Sequence, residues 1–174
     1  MIKKYKIIDD ALPRPLFENL QKTFFNDSMS WYYNNATVVG EDDETYYFSH
    51  WLFQDHQIKS NHFQLVYDLF NEILDIKSIL KIRANLTLRK EKTLYTAWHT
   101  DVDPYDLFDG QSVNFKTALF YLNTNNGSTL FDKKELNEVE AIANRLVVFE
   151  ANVSHCNKYS TNTKDRVVLN LNYV

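Results

Sequence analysis

Hydrophobic and polar positions along the chain change period once, near residue 79. Before that point the clearest repeats are helical. In "PRPLFENLQKTFFN", Leu16, Phe17, Leu20 and Phe24 recur at helical spacing, with prolines near the start where a missing N–H costs nothing. In "SNHFQLVYDLFNEILD", Phe63, Val66, Leu69, Phe70, Ile73 and Leu74 form one stripe, and Ser60 or Asn61 is the expected N-cap. The opening "KYKIID" predicts a short strand. Residues 30 to 57 are aromatic and irregular, which predicts short strands around an acidic loop at Glu41 to Glu44. From Ile79 the period becomes two. "LKIRANLTLRK" puts Ile82, Ala84, Leu86 and Leu88 on one face and Arg83, Asn85, Thr87 and Arg89 on the other. "FKTALFYLN", "STLFD", "LNEVEAI", "RLVVFE" and "RVVLNLNYV" follow as strands. Asn125-Asn126-Gly127 sits between two of them and predicts a tight hairpin, because Asn and Gly tolerate positive φ.

Two helices followed by seven or eight short strands predict a mainly β, α+β domain: a β-sandwich or jelly roll buttressed by N-terminal helices. With 174 residues, one domain spanning 1–174 is expected, with 1–78 as helical and aromatic support and 79–174 as the jelly-roll core.

Composition narrows the function. A formal net charge of −4 provides no overall basic field for nucleic acid. No long apolar run or leader pattern is seen, and one cysteine, Cys156, forms no internal disulfide, so a reducing, cytoplasmic setting is expected. Three glycines, Gly40, Gly110 and Gly127, are too few and too scattered for a phosphate-cradling loop or a dinucleotide fingerprint.

The candidate chemistry lies in "YTAWHTDVD" and two later segments. On a strand, His99 and Asp101 face the same way, about 7 Å apart by strand rise. Asp103 shares that face and is the alternative carboxylate. His155 follows the strand "RLVVFE", and Arg166 opens the last strand. Two imidazoles and one carboxylate leave open positions on a metal, the facial arrangement of non-haem iron(II) oxygenases. A guanidinium beside them matches a carboxylate in planar, bidentate fashion. Cys156 next to His155 makes a poor nucleophile, since neighbours on a strand point to opposite faces.

In order and spacing, "HTD", "KTALFYLNTNNGSTLF", "NRLVVFEANVSH" and "RVVLNLNY" resemble the iron(II)- and 2-oxoglutarate-dependent dioxygenases of the prolyl-4-hydroxylase-like type, including small virus-encoded members. The likeness runs from about Ile82 to the C-terminus. It implies a double-stranded β-helix that couples O2 and the decarboxylation of 2-oxoglutarate, to succinate and CO2, with hydroxylation of a C–H bond. It implies His99, Asp101 and His155 as Fe(II) ligands and Arg166 as partner of the 2-oxoglutarate C5 carboxylate. Thr117 and Tyr121 match positions that line or hydrogen-bond the co-substrate. Thr87 stands where many relatives carry a tyrosine, Asn85 compensates from the same face, and Asn170 shares the Arg166 face.

The substrate class stays open between a peptidyl residue such as proline, a small metabolite and a nucleobase. A catalytically silent jelly roll that retains a metal is the alternative of another class. The acidic loops at Val38 to Ser49 and Asp103 to Ser112 are expected to rim the site and to favour a neutral or cationic substrate. His50, beside "TYYF", is a candidate for the substrate border, and the Trp31-Tyr32-Tyr33 and Tyr46-Tyr47-Phe48 clusters are candidate platforms.

Overall fold

A computed structural model of the protein describes residues 5–36, 45–102, 114–131, 133 and 137–174. Among these residues, four strands and two helices precede the change of period: β1 (Tyr5–Ile8), α1 (Arg14–Phe24), β2 (Tyr32–Asn34), β3 (Tyr47–Gln54), β4 (Gln57–Ile58) and α2 (Phe63–Leu74). Seven strands follow: β5 (Ile79–Leu88), β6 (Lys116–Tyr121), β7 (Ser128–Phe131), β8 (Asn137–Glu140), β9 (Arg145–Glu150), β10 (His155–Lys158) and β11 (Asp165–Tyr173).

The strands form two antiparallel sheets. The large one runs β1-β9-β6-β11-β5-β3-β2, with β4 paired to β3, and the small one runs β10-β7-β8. In the C-terminal half the chain crosses between sheets from β6 to β7, from β8 to β9, from β9 to β10 and from β10 to β11, as expected of a double-stranded β-helix. The N-terminal stretch does more than buttress, because β1, β2 and β3 extend the large sheet on both sides of the jelly-roll strands.

The helices cover one face of the large sheet. Pro13 caps α1 and Pro15 occupies its first turn, where neither removes a useful N–H. Phe17, Leu20 and Phe24 are buried, whereas Leu16, expected on the same stripe, is 43 % exposed at its edge. α2 buries Phe63, Val66 and Phe70 and ends at Asp75 in the left-handed conformation, φ 51°. Its N-cap is His62, not Ser60 or Asn61. Ser60 acts one step earlier, its Oγ accepting the His62 N–H at 3.2 Å. Phe120 of β6 receives both helices, with ring centroids 4.9 Å from Phe70 and 6.0 Å from Phe17. Ile82, Ala84, Ala118, Leu169 and Leu171 complete this layer.

A second, smaller core lies between the sheets: Leu119, Tyr121, Phe131, Val139, Val147, Phe149 and Val168. Asn125-Asn126-Gly127 is not the turn of a paired hairpin. It carries the chain from β6 in the large sheet to β7 in the small one. A Cβ at Gly127 would lie 2.7 Å from Asn125 Oδ1, 2.9 Å from the Lys158 carbonyl and 3.0 Å from Arg166 Cδ. The glycine is required by close approach to its neighbours.

Candidate metal centre

The inner face of the large sheet is polar in register. On β5, Lys81, Arg83, Asn85 and Thr87 alternate with the apolar set that faces the helices. Across β11 they meet Asn172, Asn170, Val168 and Arg166 respectively. Across β6, Thr117, Leu119 and Tyr121 continue the rows. The polar face of a strand and the polar face of its neighbour thus fall on one side, because antiparallel pairing keeps facing residues on the same face.

His99 and Asp101 do not sit on a regular strand. Their segment runs beside β10, held by the isolated bridges Tyr95 to Lys158 and His99 to His155. The two histidines exchange both backbone bonds, His99 N–H to His155 O at 3.0 Å and His155 N–H to His99 O at 2.9 Å. Asp101 N–H donates to Ala151 O at 3.1 Å, which fixes the third residue against the end of β9. The potential ligand atoms of His99, Asp101 and His155 all lie within 4.8 Å of one another. Asp103, the alternative carboxylate, lies outside the described residues, as do most of the two acidic loops.

Each imidazole is oriented in the same way. His99 Nδ1 lies 3.0 Å from the carbonyl of Ala97, and His155 Nδ1 lies 3.0 Å from that of Val153. A carbonyl only accepts, so each Nδ1 carries a proton and Nε2 is left as the ligand atom of each ring. Burial holds the His99 pKa below its ordinary value, with His155 adding to the effect, so His99 is neutral at physiological pH. For Asp101, burial favours the protonated form, but His155, Arg83, His99 and Lys81 together outweigh it and hold the carboxyl at about 2. Asn170 Nδ2 donates to Asp101 Oδ1 at 3.2 Å and Oδ2 at 3.3 Å, and Lys81 Nζ donates to the Asp101 carbonyl at 2.9 Å. Phe149 packs edge-on against the His155 ring, centroids 5.0 Å apart.

His99 and His155 open onto a pocket that also includes Arg166, Thr87, Asn85, Asn170 and Arg83. Arg166 is 4 % exposed, and its Nε and Nη2 find no partner among the described residues. Its guanidinium lies 5.4 Å from the Tyr121 ring centroid. Burial lowers its pKa, opposed in part by Tyr121 and Tyr159, yet a guanidinium keeps its proton in a protein. A buried cation without a countercharge costs several kcal/mol, on the order of 3–5 when one partner of a pair is absent. The arrangement asks for an anion.

Thr117 and Tyr121 share the inner face but do not line the pocket. Thr117 Oγ1 accepts from Asn172 Nδ2 at 2.8 Å, and the Tyr121 hydroxyl donates to Thr129 Oγ1 at 2.8 Å. Tyr121 therefore serves as the floor under Arg166. His50 lies on the helix side, its Nδ1 2.8 Å from Ser30 O and its Nε2 2.8 Å from Ser60 Oγ. Cys156 is buried, with its thiol pushed up to about 11, and is inert. Tyr47, from one of the candidate aromatic platforms, forms part of the pocket wall, and sequence reasoning missed Thr96, Asn157 and Tyr159 beside it. Of these only Asn157 and Thr96 carried a usable signal, since they flank the two histidine segments.

No protein-family model matches the sequence, and no curated protein matches it. Solved structures do. A prolyl hydroxylase from Trichoplax adhaerens, in complex with a hypoxia inducible factor peptide fragment, superposes with TM-score 0.71 at 14 % identity, covering 98 % of this chain and 83 % of that one. The viral collagen prolyl hydroxylase vCPH of Paramecium Bursaria Chlorella virus-1, as its 2OG complex, gives 0.64 at 13 %, covering 99 % and 97 %. The α-ketoglutarate-dependent epimerase SnoN of nogalamycin biosynthesis gives 0.64 at 12 %, covering 98 % and 78 %. At such identities the likeness is one of fold, and the fold is the double-stranded β-helix of 2-oxoglutarate oxygenases.

Proposed function

We propose that the chain is an Fe(II)- and 2-oxoglutarate-dependent oxygenase that hydroxylates a C–H bond with release of succinate and CO2. One observation carries the reading. A buried guanidinium with two nitrogens unmatched among the described residues, on Arg166, faces the same pocket as two histidines whose Nε2 atoms are left as ligands and near an ionised aspartate. A structural metal site would need neither the open pocket nor the second, unpaired cation. The donor set of two imidazoles and one carboxylate suits Fe(II) and leaves positions for a chelating co-substrate.

In this reading His99, Asp101 and His155 hold the ion. Bound there, it supplies activation of O2 coupled to decarboxylation of the co-substrate. The protein supplies position and charge. Ala97 and Val153 carbonyls fix the imidazole tautomers, and Asn170 orients the Asp101 carboxylate. Arg166 takes the C5 carboxylate of 2-oxoglutarate, with Thr87 beside it in register and Asn85 two residues away on the same wall. Tyr121 and Thr117 act one layer back, the first under Arg166 and the second through Asn172. The residues 1–174 act as one such unit. No helix among the described residues is long and apolar enough to cross a membrane.

The test is anaerobic addition of Fe(II) and 2-oxoglutarate. A weak visible charge-transfer band should appear, and admission of O2 should yield succinate. Failure of the band to form, with the protein folded and iron bound, would overturn the reading.

A further inference from the structure

The pocket contains a second guanidinium for which the co-substrate gives no use. Arg83 lies on β5 one row from Asn85 and two from Thr87, and in register it faces Asn170 on one side and Trp51 on the other. Its Cζ is 5.2 Å from the Trp51 ring centroid and 5.7 Å from that of Tyr47, and its Nη1 donates to the Tyr47 hydroxyl at 3.2 Å. The side chain is thus clamped between aromatic groups while its Nε is buried and unpartnered among the described residues. It lines the pocket. No carboxylate among the described residues lies within ion-pair distance of it.

Charge balance says what is missing. On the proposed reading Fe(II) and the 2-oxoglutarate dianion cancel, and Arg166 and Asp101 cancel. Among the described residues Arg83 is left over, and Lys81, behind Asp101, only adds to the excess. A half-buried cation whose Nε has no partner among the described residues is stabilised by a fixed anion and destabilised by a cationic guest. We infer that Arg83 is a second carboxylate anchor, and that the molecule oxidised here carries a carboxylate that Arg83 binds beside the metal. This inference rests on the proposed activity and reverses the neutral or cationic preference expected from the acidic loops. The other source of the same chemistry is 2-oxoglutarate itself, through its second carboxylate.

The test uses the full chain loaded anaerobically with Fe(II) and 2-oxoglutarate. Free proteinogenic amino acids and short monocarboxylic acids are each titrated beside the corresponding carboxamide. Binding is followed by calorimetry and by perturbation of the visible band, and succinate release is measured after O2 is admitted. At least one acid should bind the wild type and stimulate succinate release, with its amide at least about tenfold weaker. Arg83→Met, which keeps the stem and drops the charge, should erase that acid-over-amide preference, and Arg83→Lys should restore part of it. The dissociation constant of 2-oxoglutarate should move less than about twofold in Arg83→Met. A loss of about tenfold or more in that constant would instead assign Arg83 to the co-substrate. A wild type that binds no acid better than its amide overturns the inference while leaving the band, and so the oxygenase reading, intact. Absence of the band in the wild type would sink that reading, and this one with it.

Discussion

The two faces of β5, β6 and β11 are built from alternate residues of the same strands, yet they differ in almost every physical respect. The helix-facing side presents Ile82, Ala84, Phe120, Leu169 and Leu171, each fully buried against α1 and α2. The inner side presents Arg83, Asn85, Arg166, Asn170 and Asn172, all with at least one buried polar atom left without a partner among the described residues. A native interior normally satisfies its polar groups. Concentration of the exceptions on one face separates the labour: one face provides cohesion, the other holds groups whose partners arrive from solution.

That contrast makes unequal predictions. The largest effect belongs to the inner face: His99→Ala or His155→Ala should abolish the Fe(II)·2-oxoglutarate band while circular dichroism stays native. On the opposite face, Phe120→Ala should lower unfolding stability by about 3–5 kcal/mol in denaturant titration. Its affinity for 2-oxoglutarate, measured where the variant is folded, should stay near wild type. The contrast breaks if Phe120→Ala changes ligand affinity more than stability.

Arg166→Ala should weaken 2-oxoglutarate by roughly two orders of magnitude or more in calorimetric titration, since a lost partner in a buried pair costs about 3–5 kcal/mol and each 1.4 kcal/mol is about tenfold. Fe(II) affinity should hardly change. Arg166→Met sharpens the comparison, because it removes an unpaired buried charge and keeps the apolar stem. Its ligand-free melting temperature should match or exceed that of the wild type, the reverse of a core deletion. Asn170→Ala removes the donor that orients Asp101 and should cost about 10–100-fold in Fe(II) affinity, read by competition with a chelator.

The smallest effect is on stability against pH. The folded pKa of Asp101, about 2, lies below its ordinary 3.8. A depressed carboxyl stabilises the fold above the unfolded value and loses that contribution as pH falls through the folded one. The metal-free protein should therefore lose on the order of 2 kcal/mol from this group between about pH 4 and pH 2. Asp101→Asn should flatten the melting curve over that window.

The strict alternation from Ile82 to Thr87 made the two faces legible in the sequence, since a period of two leaves no other arrangement for a half-buried strand. The same reasoning paired His99 with Asp101 and put Arg166 at the start of β11. Elsewhere local signals were ambiguous. Asn125-Asn126-Gly127 has the chemistry of a hairpin turn, but whether the next strand pairs with the last one or crosses to the other sheet depends on contacts remote in sequence. His99 and Asp101 face one centre through bridges to His155 and Ala151, not through strand periodicity. Tyr47 and Tyr159 reach the pocket from elements whose position only the folded sheets define. Arg83 was visible on the polar face, but its unpaired Nε and its clamp by Tyr47 and Trp51 are properties of β5 and β3 in register, and no one-dimensional pattern encodes them.

The reciprocal backbone bonds between His99 and His155 have a consequence for how quickly iron is captured. Each ring is turned by the carbonyl two residues before it, and the two segments are already stitched to each other, so the imidazoles need no search to meet an incoming ion. Metal uptake should then follow simple second-order kinetics, with a rate that rises linearly with Fe(II) concentration and shows neither a lag nor a plateau. Chelators should withdraw the metal from the native state without a detour through unfolding. A protein whose ligands assembled only around the ion would instead display a concentration-independent ceiling set by its own rearrangement.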